Sequence, residues 1–377
     1  MTMRRKYSKL SVKKTVHNNN NKLMIHNFNA GPSILPKKVF EEASKSILNF
    51  NDSGLSILEI GHRTPLFESV MEEARSLVRE LMSLDDEHEV LFLHGGATVQ
   101  FMQIPMNLLD ENETAAIADT GVWSTKAIKE ARLFGNVDVV CSSKESNYNF
   151  IPKDFKVSDD SKYFHITSNN TIYGTQWQQF PKANVPLIAD MSSDIFSRET
   201  DFNSFALIYA GAQKNMGAAG TNLVVVNKNI LGKVKRAIPA IMDYRNHIKA
   251  ESMLNTPPVF AIYVSMLTLR WLKENGGVAM MEKINNEKAA LLYDAIEKSS
   301  IFVPTAAKED RSKMNVCFVM PDKEMEKKFL DFAQKNNIYG IKGHRSVGGF
   351  RASLYNALPL SSVEYLVNKM EEFEREI

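Results

Sequence analysis

Seven short apolar runs constrain this chain more than any other feature in it. They fall at 89–93, 114–118, 137–141, 162–167, 186–189, 205–210 and 222–226, and helical patterns at 97–109 and 123–133 separate the first three. Strands interleaved with helices imply an α/β domain with a mostly parallel, buried sheet. Two amphipathic helices precede it. Pro36 opens one to about Phe50, with Val39, Phe40, Ala43, Ile47 and Leu48 at helical spacing, and Pro65 opens another to about Leu84. From about residue 256 the texture changes. A long helix runs to about Glu274, Gly276 and Gly277 break it, and a further helix reaches about Lys298. Strand-like runs at 314–319 and 350–354 follow, each leading into a helix, which predicts a smaller α+β domain packed on the first.

Charge narrows the function classes. The whole chain has 46 basic and 44 acidic residues, but residues 1–22 hold seven of the basic ones and no acid. The remainder has 39 basic against 44 acidic groups, so the body has no reason to seek nucleic acid or an acidic membrane. The basic stretch ends in an Asn run, Asn18–Asn21, and reads as a disordered leader or as the product of a start at Met1 rather than Met24. No apolar run approaches the ~20 residues of a membrane helix. The two cysteines, Cys141 and Cys317, are far apart, which fits a reducing, cytoplasmic setting and neither a disulfide scaffold nor a zinc site.

The segment 205–217, Phe-Ala-Leu-Ile-Tyr-Ala-Gly-Ala-Gln-Lys-Asn-Met-Gly, carries the sharpest chemical signal. A buried strand ends in small residues and a single lysine, Lys214, follows. An amine at the mouth of a sheet can form an imine with an aldehyde, the covalent link that pyridoxal phosphate requires. Alone, a lysine after a strand is usually an ordinary surface residue. Asp190 adds weight, because it closes the run Val185-Pro186-Leu187-Ile188-Ala189 and stands 24 residues before Lys214. A buried carboxylate against the cofactor's ring nitrogen keeps that nitrogen protonated, and a charge contact at ~4 Å is worth ~4 kcal/mol at an effective dielectric of ~20. The competing reading of Asp190 is a helix N-cap, with Ser192 and Ser193 behind it.

An anion site is readable at 90–100, Val-Leu-Phe-Leu-His-Gly-Gly-Ala-Thr-Val-Gln, as strand, glycine turn and helix start. It lacks both the Gly-Lys-Ser/Thr of a Walker loop and the G-x-G-x-x-G spacing, and a glycine turn that merely links two elements reads the same way. Trp123, opening the next helix, can stack on a planar ring or serve as core. Gly61-His62-Arg63 and Gly343-His344-Arg345, the latter followed by Gly348-Gly349-Phe350-Arg351, offer guanidinium forks to a small substrate with more than one anionic group, or else surface salt bridges. No H-E-x-x-H, other metal-ligand spacing or Gly-x-Ser-x-Gly occurs.

Several segments together resemble the phosphoserine aminotransferase family, fold-type I pyridoxal-phosphate enzymes of aminotransferase class V. They are Phe28-Asn29-Ala30-Gly31-Pro32, Gly61-His62-Arg63, His94-Gly95-Gly96-Ala97, Tyr209-Ala210-Gly211-Ala212-Gln213-Lys214-Asn215, Asn255-Thr256-Pro257-Pro258, and Lys342-Gly343-His344-Arg345 through Arg351-Ala352-Ser353. They run in the family's order from about residue 24 to the C-terminus. The resemblance implies a large cofactor-binding domain over 41–275 with a seven-stranded, mostly parallel sheet. A small domain would cover 276–377, with an N-terminal segment, 23–40, packed on it.

By the same resemblance Lys214 is the Schiff-base lysine and the proton shuttle at the substrate Cα. Asp190 is the ring-nitrogen partner and Trp123 the stacking residue. Ala97, Thr98 and Gln213 hold the cofactor phosphate, and Thr171 is a further cofactor contact. Asn255 and Thr256 would reach the phosphate from a neighbouring subunit, so a homodimer is implied. Arg63 is the expected carboxylate clamp. His62, His344, Arg345 and Arg351 are the expected further anion contacts, with His344 and Arg345 donated across the dimer. Thr98 stands where some members have arginine or serine, and Ala30 where others have serine. The implied reaction moves an amino group from L-glutamate to 3-phosphohydroxypyruvate in the serine pathway. Some relatives also accept a phosphorylated threonine precursor of pyridoxine. Rival readings are another fold-type I enzyme, such as a small-substrate transaminase or a cysteine desulfurase, and a binding protein that keeps the fold without catalysis. The positions of Cys141 and Cys317 speak against a desulfurase.

Overall fold

A computed structural model describes residues 24–377, and the expected leader lies outside the described residues. The described chain opens with β1 (His26–Asn27), α1 (Lys37–Leu48) and α2 (Pro65–Met82). Strands and helices then alternate as β2 (His88–Leu93), α3 (Gly96–Leu108), β3 (Thr114–Asp119), α4 (Val122–Ala131) and β4 (Asn136–Ser142). Next come β5 (Phe164–Thr167), β6 (Leu187–Asp190), β7 (Leu207–Gly211) and β8 (Asn222–Asn227). All seven apolar runs form strands, and these strands make one sheet in the order β2-β8-β7-β6-β5-β3-β4. Its pairings are parallel except at β8, which runs antiparallel to both β2 and β7.

Burial explains why the central strands carry no polar alternation. β6 and β7 are buried at every position, while β4, at the sheet edge, is mostly exposed or partly so. Apolar clusters fill both faces. One joins α1, α2 and the later run 262–272 to Phe92, Ile166 and Ile208, and another joins Phe101 and Ile104 of α3 to Leu91, Ile188 and Tyr209. A Leu or Ile side chain buried this way contributes ~1.5–3 kcal/mol.

The chain continues with α5 (Tyr244–Lys249), α6 (Val259–Glu274) and α7 (Gly277–Lys298). It ends with β9 (Val303–Pro304), β10 (Asn315–Val319), α8 (Lys323–Lys335), β11 (Ile338–Tyr339), β12 (Phe350–Ser353) and α9 (Leu360–Glu376). β12, β10 and β9 form an antiparallel sheet. A separate apolar cluster covers it, built on Phe302, Phe318, Phe329, Phe350 and Phe373 and completed by Phe28 from the N-terminal end. β1 pairs in parallel with β11, so the start of the described chain is stitched to its last quarter. No helix among the described residues is long and apolar enough to cross a membrane.

This topology fixes where a site can form. The carboxyl ends of β2, β3, β5, β6 and β7 all reach the same sheet edge, where the crevice of an open α/β sheet receives ligands.

Candidate active site

A cavity of ≈ 400 Å³ opens at that edge, within the range of ligand pockets. Two larger clefts border residues 178–184, and neither contains any of the expected site residues.

Lys214 stands at its centre, three residues beyond β7. Its Nζ donates to Thr171 Oγ1 at 2.8 Å and lies 5.6 Å from the centroid of the Trp123 ring. Two contacts from residue 33 brace the lysine's backbone: Ser33 N–H donates to Gln213 O at 3.0 Å, and Ser33 Oγ donates to Lys214 O. Gly31 passes so close that a Cβ there would sit 3.4 Å from Lys214 Cγ, on a backbone with φ of +146° that disfavours side chains. Burial pushes the Lys214 amine down from 10.5 to about 8, and the Arg351 guanidinium works in the same direction. The Asp190 and Asp194 carboxylates oppose both.

Asp190 ends β6 and is 5 % exposed, lining the same cavity. Its Oδ1 accepts from Ser192 N–H at 2.9 Å. Burial pushes its carboxyl up, while the Lys214 ammonium, Ser192 and the Tyr209 hydroxyl hold it down. The N-cap reading therefore captures one real contact and misses the one that faces the lysine.

On the opposite wall α3 begins immediately after β2. Gly95 and Gly96 have φ of +85° and +60°, and a Cβ on Gly95 would lie 2.2 Å from Val99 Cγ2, so the sharp entry into the helix needs glycine. That entry aims the first amides of α3, around Ala97 and Thr98, at the cavity, where a helix N-terminus favours an anion. Gln213 and Trp123 complete this wall, and the Trp123 indole Nε1 is buried without a partner.

Arg351 reaches the cavity from β12. Its Nη1 donates to Thr171 O at 3.2 Å and its Nε is buried without a partner. His344 also lines the cavity of its own chain. The cause is local: the 343–349 turn folds back on itself, with Gly343 N–H donating to Gly349 O at 2.8 Å, and carries His344 to the wall beside Arg351. Burial, then Arg351, Arg345 and Lys126, holds the His344 imidazole below its usual range.

Five expected residues stay off this wall. Arg63 and Arg345 are exposed, and His62, Asn255 and Thr256 lie outside the cavity lining of their own chain. Within one chain Arg351 is the guanidinium that lines the cavity with Lys214. Thr256 instead has its carbonyl held by His94 Nε2 at 2.8 Å, next to the glycine turn. Sequence reading missed Ser33 altogether, although it follows the Ala30-Gly31-Pro32 string that marks a tight passage of the backbone.

An aldehyde cofactor with a phosphate arm fits these groups. The amine of Lys214, the carboxylate of Asp190, the free amides of α3 and the flat Trp123 ring converge on one cavity, and orphaned polar atoms on Trp123 and Arg351 await partners. The comparisons with known proteins point the same way. Residues 25–366 match the Aminotransferase class-V family. A phosphoserine aminotransferase of Flavobacterium johnsoniae is 58% identical over 353 residues, covering 93% of this chain and 99% of that one. The chain belongs to the phosphoserine aminotransferase family. Solved structures agree. The phosphoserine aminotransferase of Bacillus circulans subsp. alkalophilus superposes with a TM-score of 0.91 at 43% identity, covering 94% and 99% of the two chains. The PLP-bound phosphoserine aminotransferase of Trichomonas vaginalis gives 0.88 at 38%, covering 92% and 100%. The expected fold class is thereby established, and the chain is a pyridoxal-phosphate-dependent aminotransferase.

Proposed function

We propose that this enzyme transfers the amino group of L-glutamate to 3-phosphohydroxypyruvate, giving O-phospho-L-serine and 2-oxoglutarate, in the cytoplasm. One observation carries the reading: Lys214 and Asp190 share a cavity that has a helix N-terminus on one wall and Arg351 on another. The cofactor, once bound, supplies an electron sink that lets the substrate Cα release a proton.

The chain's own residues do the rest. Lys214 would hold the cofactor through its Nζ, and the same amine, when free, would take the substrate Cα proton and return it. An amine near 8 is in part unprotonated at neutral pH, which suits both roles. Asp190 would pair with the ring nitrogen, Ala97, Thr98 and Gln213 would hold the cofactor phosphate, Trp123 would stack on the ring, and Thr171 would be a further cofactor contact. Arg351 binds a substrate carboxylate next to Lys214, and His344 adds a contact nearby. Glutamate leaves as 2-oxoglutarate before the phosphorylated oxo acid enters, so the kinetics are ping-pong.

The active unit is a homodimer in this reading. His62, Arg63, Arg345, Asn255 and Thr256 lie away from their own cavity, and a second copy brings them to it, with Asn255 and Thr256 toward the cofactor phosphate and the basic residues toward the substrate phosphate. The division into 41–275 and 276–377, with 23–40 packed on the latter, is supported by the separate apolar clusters. A substrate comparison tests the assignment. Glutamate should turn over far faster with 3-phosphohydroxypyruvate than with pyruvate or glyoxylate, and equal rates would remove the phosphorylated substrate while leaving the cofactor chemistry in place.

A further inference from the structure

Asp119 closes β3 as Asp190 closes β6, and the reaction does not use it. It is 7% exposed, and every hydrogen bond to its carboxylate from the described residues comes from a hydroxyl. Ser142 Oγ, at the end of β4, donates to Oδ2 at 3.0 Å, and the Tyr148 hydroxyl donates to the same oxygen at 3.3 Å. The hydroxyls of Ser124 and Thr125, in the first turn of α4, lie 3.2 and 3.0 Å from Oδ1. Each also lies near Gly121 O, at 2.8 and 3.0 Å, and its single hydrogen goes to one acceptor or the other. Ser124 Oγ further accepts from Thr120 N–H and Gly121 N–H, both at 3.0 Å. The carboxylate thus ties the start of α4 to the end of β4 and to Tyr148.

Trp123 stands inside this tied turn, directly before Ser124, and belongs to the cavity wall. Its one polar atom, Nε1, is buried without a partner, so no hydrogen bond of its own fixes the ring. Lys126 Nζ lies 4.5 Å from the ring centroid and Lys214 Nζ 5.6 Å, but long side chains follow a ring rather than hold it. What places the indole is therefore the backbone of the first turn of α4. The same turn is pressed against the segment that carries Thr171, the acceptor of Lys214 Nζ. A Cβ on Gly121 would sit 2.7 Å from Asn170 Oδ1, and the Tyr148 and Tyr173 rings have centroids 4.9 Å apart.

We propose that Asp119 is a positioning residue for Trp123: its carboxylate fixes the first turn of α4, so that the indole is already in place as the wall on which the cofactor ring stacks. A wall fixed beforehand spares binding the cost of ordering it. A carboxylate suits the position because it accepts from several donors at once, and because a negative group is favoured at a helix N-terminus. An amide there would turn one acceptor into a donor and release a hydroxyl that holds the turn. The proposal rests on the reading of Trp123 as the stacking residue.

A double-mutant cycle tests it on cofactor-free protein, titrated with pyridoxal phosphate and read by the visible absorbance of lysine-bound cofactor. Asp119→Asn should weaken binding about fivefold and Trp123→Ala about tenfold. In the Trp123→Ala background Asp119→Asn should cost less than about twofold, because the wall it positions is gone. Unchanged binding in Asp119→Asn, or equal weakening in both backgrounds, would overturn the proposal and leave the stacking reading standing. Trp123→Ala that binds as tightly as wild type would remove the stacking reading, and the proposal with it. A second measurement needs no cofactor. Acrylamide quenching of the Trp123 emission, taken as the difference from the matching Trp123→Phe protein, should rise by about half in Asp119→Asn. Unchanged quenching would overturn the positioning role whatever the titration shows. Should Asp119→Asn fail to fold, Tyr148→Phe goes through the same cycle, with a loss of about twofold expected alone and none in Trp123→Ala. No loss, or equal losses in both backgrounds, would again overturn it.

Discussion

Lys214 and Lys288 are both lysines taken out of water, and only one of them is placed to react. Burial pushes the first down from 10.5 to about 8 and the second to about 7. Depressed basicity alone would therefore select Lys288. Its surroundings exclude it. Lys288 sits on α7 at 0% exposure, and its ammonium donates to Leu354 O at 2.8 Å, Tyr355 O at 2.9 Å and Leu358 O at 3.2 Å. An ammonium has three donors, so nothing is left over. Lys214 has a single side-chain acceptor, Thr171 Oγ1, and faces a cavity. Unused hydrogen-bonding capacity beside open space separates a reactive lysine from a structural one. The two are also mechanically linked. The loop that Lys288 grips carries Asn356, whose N–H donates to Asn215 Oδ1 at 2.8 Å, one residue from Lys214.

The contrast makes graded predictions. Lys214→Ala should lower transamination by at least about a thousandfold and abolish the visible absorbance of bound cofactor, with the circular dichroism unchanged. Retained activity would mean that the wrong lysine has been assigned. Arg351→Ala should lower kcat/KM for glutamate by about a hundredfold while the absorbance persists. It should also let the Lys214 amine rise above about 8, because a nearby cation is removed.

Lys288→Met should keep the absorbance and cost about 2–3 kcal/mol of stability in denaturant titrations, since three carbonyls lose their donor. The pH dependence follows from linkage. Folding lowers the Lys288 value from 10.5 to about 7, so between these limits the unfolded chain holds the extra proton and stability rises with pH. Lys288→Met should flatten that rise, and an unchanged slope would show that the lysine keeps its proton equally in both states. Thr171→Val should have the smallest effect. It removes the acceptor that favours the charged form of Lys214, and should lower the pH midpoint for trapping of Lys214 by an added aldehyde by about half a unit.

Long-period features of the fold were readable in advance, and short or contextual ones were not. The strand 207–211 and, up to its terminal Asp190, the strand 187–190 carry no charged residue, so burial on both faces could be read from residues alone. The pairing of His26–Asn27 with Ile338–Tyr339 spans two residues and carries no period. The reversed direction of β8 is set by its neighbours rather than by its composition, which matches that of the parallel strands. At the site, Lys214 and Asp190 stood out because charged residues at the ends of apolar runs are conspicuous. Lys288 did not, because Asn286-Glu287-Lys288 reads as an ordinary solvated helix face. Arg63 and Arg351 both lie in basic, glycine-containing segments and read alike in sequence, whereas the three-dimensional path of β12 brings Arg351 to Thr171 beside Lys214.

The pairing of β1 with β11 has a consequence for how the protein is made. The reactive lysine's backbone is gripped by Ser33, and the same stretch is held by Tyr355, whose hydroxyl donates to Ala30 O at 2.9 Å. A ribosome delivers residue 33 early and residues 338–355 almost last, so the first-made segment waits for the final one before it can lock. Closure of the cavity around Lys214 is thereby tied to synthesis past Tyr355, and a chain stalled short of Ile338 leaves the ribosome without these braces.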